Sequence, residues 1–234
     1  MKTTPALLAA LSVNPWFAAL PASERNALLA AAEPAHVPRG ALLFRQGDLV
    51  AGPGGGFFGL LSGEIKISTL RSDGKEAILV VLEPGNWFGE VLVQGQVRRI
   101  HDATTLSAVE VLAVPQKGFL ALMQRLAFAQ AMAALQAARV RALYGLLEDA
   151  TLRTLRARVA RRLLFLARGD ATQARESRRE ITLSQEALAM MLGVSRQTLS
   201  GELQALAALG VLKLGYGRIA IQSLAQLEAL GAQG

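Results

Sequence analysis

Four adjacent residues, Ser195-Arg196-Gln197-Thr198, all carry hydrogen-bonding side chains and follow closely on Gly193. An Arg in this setting can pair with guanine O6 and N7 through two parallel bonds. A Gln can pair with adenine or act through water, and hydroxyls at a helix N-terminus can meet phosphate. Such chemistry needs a rigid, exposed support, and the flanking residues provide it. Ser195 N-caps a helix whose Leu199, Leu203 and Leu206 share one face, leaving Arg196, Gln197 and Ser200 on the other. Upstream, Leu188 and Leu192 are four apart on one face of an earlier helix, Ala189 permits a close crossing, and Gly193 takes the positive φ of a tight turn. Residues 185–204 therefore predict a helix-turn-helix, whose second helix lies in the DNA major groove. The plainer alternative, a helical hairpin inside a helical domain, gives Ser-Arg-Gln-Thr no packing role.

The residues after this motif extend it. Leu209-Gly210 ends the second helix. Val211–Leu214 and Arg218–Ile221 then flank Gly215-Tyr216-Gly217 as a hairpin, which makes the motif a winged helix. Lys213 and Arg218 on the wing are candidate phosphate contacts. Charge agrees: residues 1–150 hold 13 Lys+Arg and 12 Asp+Glu, whereas residues 151–234 hold 12 and 6. A basic C-terminal third is the electrostatic footprint of a duplex-binding domain.

Other chemistry is sparse. The chain has no cysteine, which excludes disulfides, a thiolate-bound iron–sulfur cluster, a Cys-based zinc site and a cysteine nucleophile. Gly52 to Gly59 is read as a plain loop, since it lacks the Lys-Ser/Thr ending of a P-loop. His36 and His101 are the only histidines, the first read as lying in a surface turn. No catalytic constellation emerges, so no enzymatic activity is expected. No segment is long and apolar enough to span a bilayer, and the apolar run Ala6 to Leu11 is read as a helix and not a signal peptide. A cytoplasmic location without a membrane partner is expected.

The supporting elements follow from periodicity. Residues 4–33 read as helices, with Asn14 capping a turn at Pro15 and a helix from Ser23 to Ala32, ended by Pro34 and Pro38. From about 36 to 115, short β-prone runs alternate with turns: Ala41–Phe44, Phe57–Leu61, Glu64–Thr69, Ala77–Leu82, Thr104–Ser107 and Glu110–Val114. Ser72-Asp73-Gly74 reads as a hairpin turn. This pattern predicts an antiparallel sandwich or barrel such as a jelly roll. A short helix from Phe119 to Arg125 precedes a long one, Phe128 to Ala150, on which Val140, Leu143, Leu147 and Ala150 repeat at spacings of three and four. Those spacings are a coiled-coil seam, a candidate dimer contact, with Ala133 and Gln136 continuing it upstream. A helix over Leu152 to Arg168 buries Val159, Leu163 and Leu166, with Arg153, Arg156, Arg158, Arg161 and Arg162 read as solvated or near DNA.

This combination resembles the catabolite activator/fumarate–nitrate regulator (Crp/Fnr) superfamily of bacterial transcription factors, over nearly the whole chain. The resemblance is carried by Phe44-Arg45-Gln46-Gly47-Asp48, by Leu61-Ser62-Gly63-Glu64-Ile65-Lys66-Ile67, by Pro84-Gly85-Asn86-Trp87-Phe88-Gly89-Glu90 and by Ser195-Arg196-Gln197-Thr198. It implies an α+β protein: a cyclic-nucleotide-binding-like jelly-roll domain over 1–127, a dimerisation helix over 128–151 and a winged-helix DNA-binding domain over 152–234. It also implies a homodimer on near-palindromic double-stranded DNA, responsive to an effector and, as an activator, in contact with RNA polymerase. In cyclic-nucleotide-binding members a Glu holds the ribose hydroxyl and an Arg–Ser pair holds the cyclic phosphate. Gly89 and Glu90 match the start of that cassette, and Arg98 or Arg99 matches the Arg, Arg99 being favoured by count. Ile100 stands where the Ser would be, and Leu143 and Tyr144 stand where small hydroxyl residues meet the adenine. These departures count against cyclic AMP while leaving a nucleotide-type effector open. A structural ion pair between Glu90 and Arg99 is the equal alternative, and Trp87 is read as core. Gly201 stands where relatives carry Arg, Lys or another long side chain. A ligand-binding protein whose winged helix docks on another protein is the second functional reading.

Overall fold

The computed structural model describes residues 5–50, 56–70, 73–74, 76–90, 98–168 and 179–233. The chain divides into two compact units, Met1–Gln136 and Ala137–Gly234, and the division falls inside one long helix.

The first unit opens with α1 (Pro5–Leu11), α2 (Pro15–Ala19) and α3 (Ala22–Ala30). Asn14 caps α2, its side-chain oxygen accepting from the Trp16 and Phe17 N–H groups. Strands β1 (Glu33–Val37), β2 (Leu42–Phe44), β3 (Phe57–Ser62), β4 (Ile65–Leu70), β5 (Glu76–Leu82), β6 (Trp87–Phe88), β7 (Asp102–Thr105) and β8 (Val109–Val114) follow. They form two antiparallel four-stranded sheets, ordered β1-β8-β3-β6 and β2-β7-β4-β5. Helix α4 (Gln116–Met123) and the start of α5 (Leu126–Leu152) complete the unit.

Alternation along the strands explains the packing. Phe58, Leu60, Phe88, Val109 and Val111 point between the sheets, where they meet Ile65, Leu82 and Ala103. Phe57, Trp87, Leu112 and Val114 point the other way, into a core shared with Leu11, Phe17, Leu28, Phe119 and Phe128 of the helices. Both faces of the first sheet are therefore covered, which is why β3 is buried without a break from Phe57 to Leu60. Trp87 is fully buried and stacks on Phe17 with ring centroids 5.6 Å apart. Trp16 Nε1 donates to the Ala131 carbonyl at 2.9 Å, fixing the first turns of α5 to this core. Glu24 of α3 is buried and accepts two hydrogen bonds from Arg125, at 2.6 and 2.8 Å.

Several expectations change here. The barrel begins at Glu33 and not near 36, because β1 is an edge strand, where a proline such as Pro34 is tolerated. His36 accordingly lies in β1 opposite Glu110, and not in a turn. Gly59 belongs to β3, as the β-prone run Phe57–Leu61 predicts and against the loop reading of Gly52 to Gly59; a Cβ there would come 2.9 Å from the Trp87 ring. Residues 51–55 of the expected loop, and Ser72 of the expected turn, lie outside the described residues. Gly74 keeps the positive φ of the β4–β5 hairpin.

The second unit carries the rest of α5, then α6 (Leu155–Ala167), β9 (Glu180–Ile181), α7 (Gln185–Leu192), α8 (Arg196–Ala208), β10 (Leu212–Gly215), β11 (Arg218–Ile221) and α9 (Leu224–Ala232). Strands β10-β11-β9 form a small antiparallel sheet, and α6 packs on α8 and α9. Helix α9 was not anticipated, although Ser223 with Gln226 three residues on is a capping signature, and Ser223 Oγ accepts from the Gln226 N–H. The arginines from Arg153 to Arg162 match the solvated expectation only in part: Arg156 is exposed, but most of the group is engaged within the unit. Arg162 is buried, Arg153 and Arg161 converge on the buried Asp149, Arg156 pairs with Glu202, and Arg158 donates to the Leu192 carbonyl at 2.6 Å, closing the end of α7. Arg153, Arg156, Arg158 and Arg161 thereby brace this unit through a carboxylate or an open helix end, and Arg162 lies over the Phe165 ring.

Candidate functional site

The second unit presents one face with recognition chemistry. Ser184 caps α7 by accepting from the Ala187 N–H, and Gly193 turns the chain with φ +67°. Ser195 caps α8 by accepting from the Thr198 N–H at 3.0 Å. Leu188, Leu192, Leu199, Leu203 and Leu206 are all buried, so the two helices are fixed by their apolar faces. Ser195, Arg196, Gln197 and Thr198 are exposed and Ser200 is half-buried. Ser195 Oγ and Thr198 Oγ1 lie 2.7 Å apart, so a phosphate would have to share two hydroxyls already bonded to each other. Gln204, exposed and seven residues beyond Gln197, joins the same face; helical spacing could have singled it out.

Charge near this face is largely settled within the unit. Glu202 is held by Arg156 at 2.9 Å, which turns its charge toward α6. On the wing, Lys213 is exposed, and Arg218 sits 3.5 Å from Glu180 with both side chains more than half exposed. An exposed pair of this kind contributes little, so an incoming phosphate can replace the carboxylate at small cost.

In the first unit the barrel brings Gly89, Glu90 and Arg99 together. Gly89 has φ +92°, and a Cβ there would come 2.7 Å from the Gly56 carbonyl oxygen. Arg99 is buried; it donates to the Gly89 carbonyl at 3.1 Å and the Gly56 carbonyl at 3.4 Å. Its guanidinium carbon lies 4.1 Å from the centre of the Phe44 ring, a cation–π contact. Burial pushes its pKa down to about 10, opposed by the charges of Glu90 and Asp48, so it stays protonated at neutral pH. Glu90 is buried and accepts from Gln136 Nε2 of α5 at 3.3 Å. Arg98 is not part of this group: it is exposed and donates to the Gly47 carbonyl at 2.7 Å. Phe44 and Gln136 are members that sequence reasoning missed, because long-range pairing brings them in. Residues 91–97, which follow Glu90, lie outside the described residues.

Leu143 and Tyr144 belong to the second unit and are exposed on α5. Val140, Leu143 and Leu147 are 46%, 64% and 63% exposed, and Ala150 is exposed too. His36 is exposed, and His101 Nδ1 is 2.9 Å from Thr69 Oγ1, with burial holding its pKa below the ordinary value against the pull of Asp102. No single helix among the described residues is long and apolar enough to cross a membrane.

Comparison with known proteins places this geometry. A family model of the cyclic nucleotide-binding domain matches residues 34–126, and one of the Crp-like helix-turn-helix domain matches residues 157–230. The chain is 34% identical over 197 residues to the cyclic AMP receptor protein of Thermus thermophilus, covering 82% of this chain and 85% of that one. It is 29% identical over 184 residues to a CRP-like cAMP-activated global transcriptional regulator of Mycobacterium tuberculosis, covering 78% and 80%. Among solved structures, FixK2 from Bradyrhizobium japonicum shares the fold with a TM-score of 0.73 at 21% identity, covering 87% of this chain and 98% of that one.

Proposed function

This chain belongs to the Crp/Fnr superfamily of transcription regulators, and from that premise we propose that it binds near-palindromic DNA as a homodimer under the control of an effector in its barrel. One observation carries the proposal. Helix α8 buries Leu199, Leu203 and Leu206 completely while its first turn offers Arg196 and Gln197 to solvent. A helix pinned from behind, with base-reading side chains in front, suits the major groove. Arg196 is assigned the base contact, with Gln197 beside it. Thr198, Ser195, Lys213 and Arg218 are assigned to phosphates, and Ser200 to the flank. Two such helices enter successive grooves if Val140, Leu143, Leu147 and Ala150 of α5 meet their copies in a second chain.

The effector is of nucleotide type. Support comes from the family match over the barrel and from the pairing of a buried carboxylate, Glu90, with a buried cation, Arg99. Glu90 would hold ribose hydroxyls and Arg99 a phosphate. Ile100 has no hydroxyl to add, which predicts a weaker hold on cyclic AMP than an Arg–Ser pair gives. Effector binding then shifts a population of dimer conformations toward the one that fits DNA.

The test is duplex binding across salt concentration. Log affinity should fall linearly and steeply with log salt as counterions are released. Absence of binding at every salt and ligand condition would favour a winged helix that docks on a protein.

A further inference from the structure

The duplex-binding reading leaves open how α8 meets the bases, and the inference here rests on it. At about 100° per residue, the positions farthest from Leu199, Leu203 and Leu206 are Gln197, Gly201, Gln204 and Ala208. All four are exposed. Gly201 stands near the middle of that line and of the helix.

A glycine there weakens the helix, and alanine would suit it better. The fold supplies no reason for it. Gly201 has no positive φ, and a Cβ built on it meets no atom within 4 Å among the described residues. The contrast with Gly59, Gly89 and Gly231 is direct: there a Cβ would run into Trp87, Gly56 or Arg161. No described residue accounts for the glycine, and the position faces outward beside Gln197.

We infer that Gly201 is the point at which α8 rests its bare backbone on the base-pair edges. A helix with its side chains, about 10–12 Å across, fills a major groove about 12 Å wide, so one methyl group on the deepest line decides how far it enters. With Gly201 seated, Gln204, Ser200 and Arg196 follow one another round one flank of α8 and reach bases from that flank, while Ala205 leaves the other flank bare. The partner surface opposite Gly201 is apolar and shallow, as a thymine methyl is. Gly201 and Gln204 are thereby specificity-determining positions, and the missing long side chain is a fit and not a lost contact.

The experiment starts from duplexes that the wild-type chain selects out of a random-sequence pool. Gly201→Ala is then measured for melting temperature and for affinity to the selected duplex and to a scrambled one. The melting temperature should rise by a few degrees. Affinity for the selected duplex should fall about tenfold or more, while the scrambled duplex changes by less than about twofold, since phosphate contacts are untouched. Gly201→Arg should also lose the selected duplex. Equal or tighter binding by Gly201→Ala, a gain by Gly201→Arg, or a lower melting temperature for Gly201→Ala would each overturn the inference. Failure of the wild-type chain to select any sequence would instead remove the duplex-binding reading, and the inference with it.

Discussion

Arg196 and Glu24 show how differently a charged residue can be legible. Arg196 follows an N-cap, precedes a leucine face and is exposed, all of which the sequence predicts. Arg196→Ala should cost about 1–3 kcal/mol at the cognate site and relax preference at one base pair; anisotropy titration against single-base variants of the site checks this. The Glu24–Arg125 pair joins residues 101 positions apart, so no local pattern announces it. Hydrogen bonds from Arg125 hold the Glu24 carboxyl below the usual carboxylate range, against the opposing effect of burial. The folded carboxyl thus titrates below the unfolded one, near 4.3. Its contribution is full above about pH 5 and is lost as pH falls toward the folded value. Glu24→Gln should melt below wild type at neutral pH, with the gap closing under about pH 4. A gap that stays constant through acid would contradict the pairing. The α6 arginines fall in the same class, since a sequence shows that a side chain is charged but not which carboxylate it will meet.

Among the elements, those with strong local punctuation were legible. Gly193 and Gly210 mark the ends of α7 and α8, and the alternation in β8 marks both of its faces. Strand β1 was hidden by Pro34, and β6 has only two residues, too few to show a period. Helix α5 combines two regimes: Phe128, Met132 and Leu135 are buried in the first unit, whereas Val140, Leu143 and Leu147 stay exposed in the single chain. The proposed homodimer would cover this apolar stripe beyond residue 137. The double substitution Leu143→Lys with Leu147→Lys should leave the chain folded but monomeric by light scattering. Specific duplex affinity should drop about a hundredfold or more, since the second half-site no longer binds as an intramolecular event. A dimer of unchanged mass would rule out this seam.

At the scale of the whole molecule, function divides along the chain as charge does. Residues 151–234 carry the basic excess and the helix-turn-helix match, and residues 34–126 carry the cyclic nucleotide-binding match. The order of barrel, long helix and winged helix was readable because each has its own period: two, then a seam of three and four, then capped short helices around a glycine turn. In the barrel group, Gly89, Glu90 and Arg99 were readable from the family's motif, whereas Phe44 and Gln136 join only through long-range pairing. The measurement closest to the central claim is selection of duplexes from a random pool, with the mass of the resulting complex determined by sedimentation. The account predicts an enriched sequence with two inverted half-sites whose centres lie about 10–10.5 base pairs apart, or a multiple of that, bound by two chains. No enriched sequence, or one chain on a single half-site, would contradict it.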